Sequence, residues 1–307
     1  MARRLRYMPP EGSRLVEVTT RTVHGRFLLA PSEELNDLIL GALGRAQELY
    51  PLDLVAFAFA SGHYHLLLRV KDTQQLSSFM NHFNSNLARE AGRLADWREK
   101  FWSRRFQAIP ISDEPQAQIE RLVYVLSHGV KEGLLESLRD WPGVSAVRAL
   151  LDSEPLVGHW FNRTQEYGAR QRGESFHRLQ FATEYTLQLA PLPCWEHLEP
   201  EQYRQNIAEL VAGIEARAAA EREASGKPAL GIQAICALKR HDRPAKLKRS
   251  PAPLFHAASR KVRRDLYQAY GEFLGAFRTA AEKLRTGLRD VAFPAGSFPP
   301  ALPWVAG

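Results

Sequence analysis

The chain has 307 residues, enough for a full hydrophobic core and for two domains. With 45% hydrophobic and 24% charged residues it has the composition of a folded protein, which excludes a chain disordered throughout. Its formal net charge of +7 favours an anionic partner such as nucleic acid, and two distant cysteines, Cys194 and Cys236, exclude a disulfide framework or a CxxC zinc site.

The N-terminal MARRLRYMPPEG is basic, but Pro9 and Pro10 follow with no apolar stretch behind them, so no signal peptide is expected. Leu15 to Thr22 (LVEVTTRT) is β-branched and alternating and predicts a strand. Ser32 is a good N-cap, with Glu33 and Glu34 in the first turn of a helix whose apolar residues Leu35, Leu38, Ile39, Ala42, Leu43 and Ala46 recur at helical spacing until Pro51. Leu52 to Ala60 predicts a buried strand and His63 to Val70 a second, with Ser61 and Gly62 as the turn of a hairpin. Leu52 to Ala60 is also the most apolar stretch and is far too short to span a membrane, so no membrane partner and a cytoplasmic location are expected.

Gln74 to Leu94 predicts a helix with Leu76, Phe79, Met80, Phe83 and Leu87 on its apolar stripe. Phe106 to Ile111 predicts a short strand, placed on a sheet edge by Pro110. Glu114 to Lys131 predicts a helix, and Ser145 to Leu151 a short one. Strands that pair directly, with helices covering the sheet, predict an α+β fold: an antiparallel sheet with helices packed on it, followed by a mainly helical C-terminal domain. The expected division is a first domain over 1–164, a polar linker over 165–180 and a basic accessory domain over 181–307. Helices are expected over Glu199 to Glu223 and Ser259 to Leu284, around the basic stretch ICALKRHDRPAKLKRSPAP.

Three features carry chemistry. His63 and His65 are two apart on a predicted strand, so both imidazoles project from one face and make half of a metal site. Taken alone, the pair is a weak signal, because chance pairs, buried hydrogen-bonded histidines and exposed ones together outnumber true ligands. Tyr124 and His128 are four apart on a predicted helix and share a face. A phenol attacks phosphorus usefully when a metal polarises the phosphate, yet a core tyrosine beside a satisfied histidine fits the same spacing. Arg104 and Arg105, between Trp102 and Phe106, suit phosphate gripping with aromatic stacking, or ordinary solvated surface.

In combination these features resemble the HUH single-tyrosine transposases, in particular the REP-associated tyrosine transposases of bacteria. Four stretches carry the resemblance: SGHYHLLLRV around His63 and His65, FNSNLAREAGR from Phe83, FWSRRFQAIPI from Phe101 and LVYVLSHGVKEGLL around Tyr124. The resemblance implies the HUH-type, ferredoxin-like sheet. It also implies a divalent cation, Mg2+ or Mn2+, held by His63 and His65, and Tyr124 as the nucleophile. His128 stands where such proteins usually carry Asn or Gln and is implied as a third ligand. Gly62 stands where Asn commonly precedes the first histidine.

The implied reaction is cleavage and joining of single-stranded or hairpin DNA at palindromic repeats through a 5′-phosphotyrosine link. DNA contacts are expected from Arg104, Arg105, Lys131, Lys246, Lys248 and Arg249. The alternative is a DNA-binding protein or repressor of the same fold with little or no catalysis. A third reading, an HxH metal enzyme acting on small substrates, fits less well with the basic residues and with no further carboxylate near His63 in the sequence. A homodimer is compatible with the pattern and not specified by it.

Overall fold

The computed structural model describes residues 5–245 and 252–298. The alternating run near the start forms strand β1 (Leu15–Arg21), and the Ser32-capped run forms helix α1 (Glu33–Leu49), with Ser32 Oγ accepting from the Leu35 N–H at 3.2 Å. The two apolar runs that follow form β2 (Asp53–Ala60) and β3 (His63–Arg69), an antiparallel hairpin. Helix α2 (Thr73–Leu94) is capped by Asp72, whose side chain accepts from the Gln75 N–H at 2.7 Å. Strand β4 (Gln107–Pro110) pairs with β1, closing a four-stranded antiparallel sheet in the order β2-β3-β1-β4. Pro110 thus lies on an edge strand, where its missing N–H costs no ladder bond.

Helix α3 (Pro115–Leu126) packs on β2 and β3, and α1 packs against α2. The pleat sends Tyr64, Leu66 and Leu68 to one face of β3 and His63, His65 and Leu67 to the other. On the first face Tyr64 meets Phe83 of α2 and donates to Asn84 Oδ1 at 2.5 Å. The second face belongs to α3. The sheet, α1, α2 and α3 share one large core, including the fully buried Phe57, Phe59, Phe79 and Phe83.

Helix α3 ends five residues before the expected Lys131. Gly129 stands in the left-handed region (φ 94°), and a Cβ there would come within 3.0 Å of the Trp141 ring. The chain therefore leaves the helix through a series of turns, and the Gly129 N–H donates to Glu132 Oε2 at 2.7 Å. Helix α4 (Val147–Asp152) follows close to the expected position.

Two strands were not anticipated. β5 (Val157–Phe161) and β6 (Ala182–Thr186) pair antiparallel as a separate two-stranded sheet that packs on α1. Between them, the stretch expected as a linker carries helix α5 (Arg163–Gln171), capped by Asn162 and pinned to α2 by Arg163, which donates to Glu90.

The C-terminal part is helical: α6 (Pro200–Ser225), α7 (Ile232–Cys236) and α8 (Arg260–Arg285). Ile207, Val211 and Ile214 of α6 and Ile235 of α7 join the core of the sheet. Helix α8 buries Tyr270, Phe273 and Phe277 in a second cluster with Tyr7 and Phe255. Glu114 ties α8 to the start of α3, accepting from the Ala258 N–H at 2.9 Å, the Ser259 N–H at 3.0 Å and the Ser112 hydroxyl at 2.8 Å. Among the described residues no helix is long and apolar enough to cross a membrane.

Candidate active site

The antiparallel register sets Thr19 opposite His65 and Arg21 opposite His63. Directly opposed residues share a face, so Glu17, Thr19 and Arg21 of β1 line the same side as the two histidines. Helix α3 runs along that side and ends beside it, presenting Tyr124 from its last turn. His128 follows from the turn after the helix. It therefore does not sit on α3 as its spacing from Tyr124 suggested, although the turn still brings its ring to the site.

One ring nitrogen from each of His63, His65 and His128 lies within 4.8 Å of the others. The rings of His65 and His128 have centroids 4.3 Å apart, those of His63 and His65 5.2 Å, and those of His63 and His128 5.6 Å. The Tyr124 ring is 5.5 Å from that of His65 and 5.3 Å from that of His128. Tyr124 remains 37% exposed while all three imidazoles are largely covered.

Burial pushes the His63 and His65 imidazoles down to about 3. For His63 the neighbouring His65 and Arg21 add to the shift; for His65, Lys131 and Arg121 do. Burial likewise drives His128 well below the ordinary histidine range, helped by His65 and Lys131. All three rings are therefore neutral near pH 7, the form in which imidazole binds metal. A trio of neutral nitrogen donors with mutually close lone pairs fits a divalent cation, and fits Mn2+ better than oxygen-preferring Mg2+.

Two of the rings are oriented from behind. His128 Nδ1 donates to the Val125 carbonyl at 3.0 Å, leaving the lone pair on Nε2, which Lys131 Nζ approaches to 3.4 Å. His65 Nδ1 lies 2.5 Å from Glu17 Oε1. Glu17 is 0% exposed, and its other oxygen accepts from Arg121 Nε. Sequence reasoning missed Glu17 and Arg121. The signal was a carboxylate inside the apolar run LVEV, since a buried acid needs a partner.

Two cations bracket the tyrosine. Arg121 stands 4.1 Å and Lys131 Nζ 3.7 Å from its ring centroid, and Lys131 also donates to the Tyr124 carbonyl at 3.2 Å. Burial, with Glu17 next in weight, raises the Tyr124 phenol above its ordinary value. Lys131, expected as a DNA contact, thus sits inside the site. Arg104 and Arg105 are exposed, on the loop after Trp102, where Ser103 N–H donates to the Arg21 carbonyl at 2.9 Å. That bond anchors both arginines at the His63 end of the sheet. Lys246, Lys248 and Arg249 lie outside the described residues.

Gly62 has a steric explanation. Its carbonyl accepts from the Thr22 N–H and hydroxyl, both at 3.0 Å, and a Cβ would stand 2.9 Å from the Gly25 carbonyl oxygen. A larger residue before His63 would push the Val23–Gly25 turn away from the site.

The comparisons with known proteins bear on this segment. Residues 31–125 match the family of IS200-like transposases. The match takes in His63, His65 and Tyr124 and stops before His128. A REP-associated tyrosine transposase of Haemophilus influenzae is 28% identical over 105 residues, 31% of this chain and 59% of that protein. The chain thus spans less than two thirds of that relative. Among solved structures, a REP-associated tyrosine transposase bound to a REP hairpin is 18% identical, with a TM-score of 0.38 over 48% of this chain and 82% of its own. A protein of Deinococcus radiodurans assigned as a transposase is also 18% identical, with a TM-score of 0.28 over 40% of this chain and 95% of its own.

Proposed function

We propose that the protein is a metal-dependent tyrosine transposase that cleaves and rejoins single-stranded DNA beside hairpin-forming repeats, using Tyr124 as nucleophile. The observation that carries this reading is the convergence of His63, His65 and His128 on a half-exposed tyrosine flanked by cations; His63, His65 and Tyr124 lie inside the segment similar to IS200-like transposases, and His128 just beyond it. The Haemophilus relative and the hairpin-bound structure are REP-associated transposases by description, and the proposal extends that substrate class to this chain.

His63, His65 and His128 would hold the cation. When bound, it would supply Lewis acidity, drawing charge from a phosphate oxygen. The rest falls to the chain. Arg104 and Arg105 grip flanking phosphates and fix the strand, with Arg21 beside them. Arg121 and Lys131 hold the Tyr124 ring and place positive charge near the phosphate. In the transfer, the Tyr124 oxygen–phosphorus bond forms and the bond from phosphorus to the 3′ oxygen breaks. The phenolic proton is lost to solvent and the 3′ oxygen takes one up, leaving a 5′-phosphotyrosine and a 3′-hydroxyl. The reverse attack by a 3′-hydroxyl rejoins DNA without ATP, because the phosphodiester's free energy is kept in the link.

The test is an adduct assay. Labelled hairpin single-stranded DNA incubated with protein and Mn2+ or Mg2+ is expected to give a denaturation-resistant adduct at the 5′ end of the downstream fragment, and Tyr124→Phe to give none. An adduct with Tyr124→Phe would mean another nucleophile. Hairpin binding without an adduct under either metal would favour the second reading, a structure-specific DNA binder of the same fold.

A further inference from the structure

The metal-site reading leaves one buried group without a task. Glu17 lies on β1, wholly enclosed, on the face that carries the histidines. An enclosed carboxylate in a sheet is costly unless its oxygens are engaged, and both are: Oε1 faces His65 Nδ1 at 2.5 Å and Oε2 accepts from Arg121 Nε. Arg121 in turn lies 4.1 Å from the Tyr124 ring centroid. One side chain therefore touches both a histidine of the candidate metal site and the cation seated on the candidate nucleophile.

We infer that Glu17 is a positioning residue that fixes the His65 tautomer and ring angle for metal binding and, through Arg121, holds Tyr124 beside the same metal. This inference rests on the metal-site reading above. A carboxylate can only accept here, so His65 must carry its proton on Nδ1 and present the Nε2 lone pair to His63 and His128. Metal-binding histidines held this way by a carboxylate are better donors, and loss of such a partner typically weakens metal affinity about 10–100-fold. Val125 does for His128 what Glu17 does for His65, with a carbonyl in place of the carboxylate.

The experiment measures Mn2+ affinity of the full chain by electron paramagnetic resonance, without DNA. Glu17→Gln keeps the volume and one acceptor but removes the charge, and is expected to weaken Mn2+ binding by about 10-fold or more. Because it leaves Arg121 buried without its counter-charge, Glu17→Gln is paired with the double variant Glu17→Gln/Arg121→Met, which removes both charges. If Glu17 serves only to neutralise Arg121, the double variant recovers wild-type affinity, and the inference is overturned. If Glu17 positions His65, the double variant stays as weak as the single.

A third readout needs no variant. Nitrogen-15 spectra of the unloaded protein are expected to show His65 as the Nδ1–H tautomer, and an Nε2–H tautomer overturns the inference. Wild-type protein that binds no Mn2+ sinks the metal-site reading and this inference with it. Wild-type binding that Glu17→Gln leaves unchanged sinks this inference alone.

Discussion

Replacing Gly41 by alanine separates a packing role from an incidental glycine by the sign of the effect. Gly41 lies in α1, where the β5–β6 hairpin packs, and a Cβ there would fall 2.1 Å from the carbonyl carbon and oxygen of His159. Gly158 and Gly44 line the same seam, with would-be Cβ contacts of 2.5 Å to the Leu40 and Tyr185 Cβ atoms respectively. Against an ordinary carbon contact of about 3.5 Å, the strand would have to retreat by about 1.4 Å. That retreat would stretch the hydrogen bonds from the His159 N–H and Nδ1 to Asp37 Oδ1, now 3.0 and 2.7 Å.

Overpacking of this kind costs about 1–3 kcal/mol, and a weakened hydrogen bond to a charged group adds about 1–2 kcal/mol. Alanine's better helix propensity returns about 1 kcal/mol. The net expectation is a loss of about 1–4 kcal/mol and a Tm lower by about 2–6 °C. Gly213, within α6, has nothing within 4 Å of its would-be Cβ, and Gly213→Ala is expected to stabilise by about 0.5–1 kcal/mol. Urea and thermal denaturation of both variants decide the matter. If Gly41→Ala raises stability as Gly213→Ala does, the seam is not a steric constraint and the docking of the hairpin on α1 is misread.

The Glu114 tie between α3 and α8 is open to a pH test. Burial pushes the Glu114 carboxyl up, but hydrogen bonds from Ser112, Ser259 and Ala258 outweigh it and hold it below its ordinary value. Its contribution is therefore complete above the ordinary glutamate value of about 4.3 and is lost as pH falls through the lower folded-state value. Glu114→Gln should accordingly flatten the acid limb of the stability–pH curve, and parallel curves would contradict this. Arg104→Ala and Arg105→Ala should each reduce the slope of log affinity against log salt for single-stranded DNA by about 0.7, and unchanged slopes would remove them from the interface. His128→Ala should weaken Mn2+ binding measured without DNA; unaltered affinity would reduce the site to the His63–His65 pair. Trp141→Phe removes the indole N–H that donates to the Phe59 carbonyl at 3.0 Å and should cost about 1–3 kcal/mol in denaturation, with no loss speaking against that bond.

The sheet and its flanking helices were legible because each carries its own period. LVEVTTRT alternates, the α1 and α2 stripes recur every three to four residues, and Ser32 caps the first helix as its type suggests. His63 and His65 could be placed on one face from the pleat alone. The end of α3 was not legible from periodicity, because apolar spacing continues past Leu126 while Gly129 packs against the ring of Trp141, beyond the helix. β5 and β6 escaped for a related reason. GHW and TEY carry no clear alternation, and the hairpin's packing depends on glycines in α1 that sequence shows only as a weakness in a helix. Glu17 was visible as a charge in an apolar strand, but its partners lie 48 and 104 residues away. Only the fold could show that the charge faces His65 and not solvent.

The proposed function requires Tyr124 to become covalently joined to DNA at a metal site built from three histidines. Its most direct test is peptide mapping by mass spectrometry after incubation with hairpin single-stranded DNA and Mn2+. A nucleotide remnant is expected on the peptide containing Tyr124, absent when the metal is chelated and absent from His63→Ala. A remnant on any other tyrosine, or one that forms equally in chelator, would contradict the proposed function.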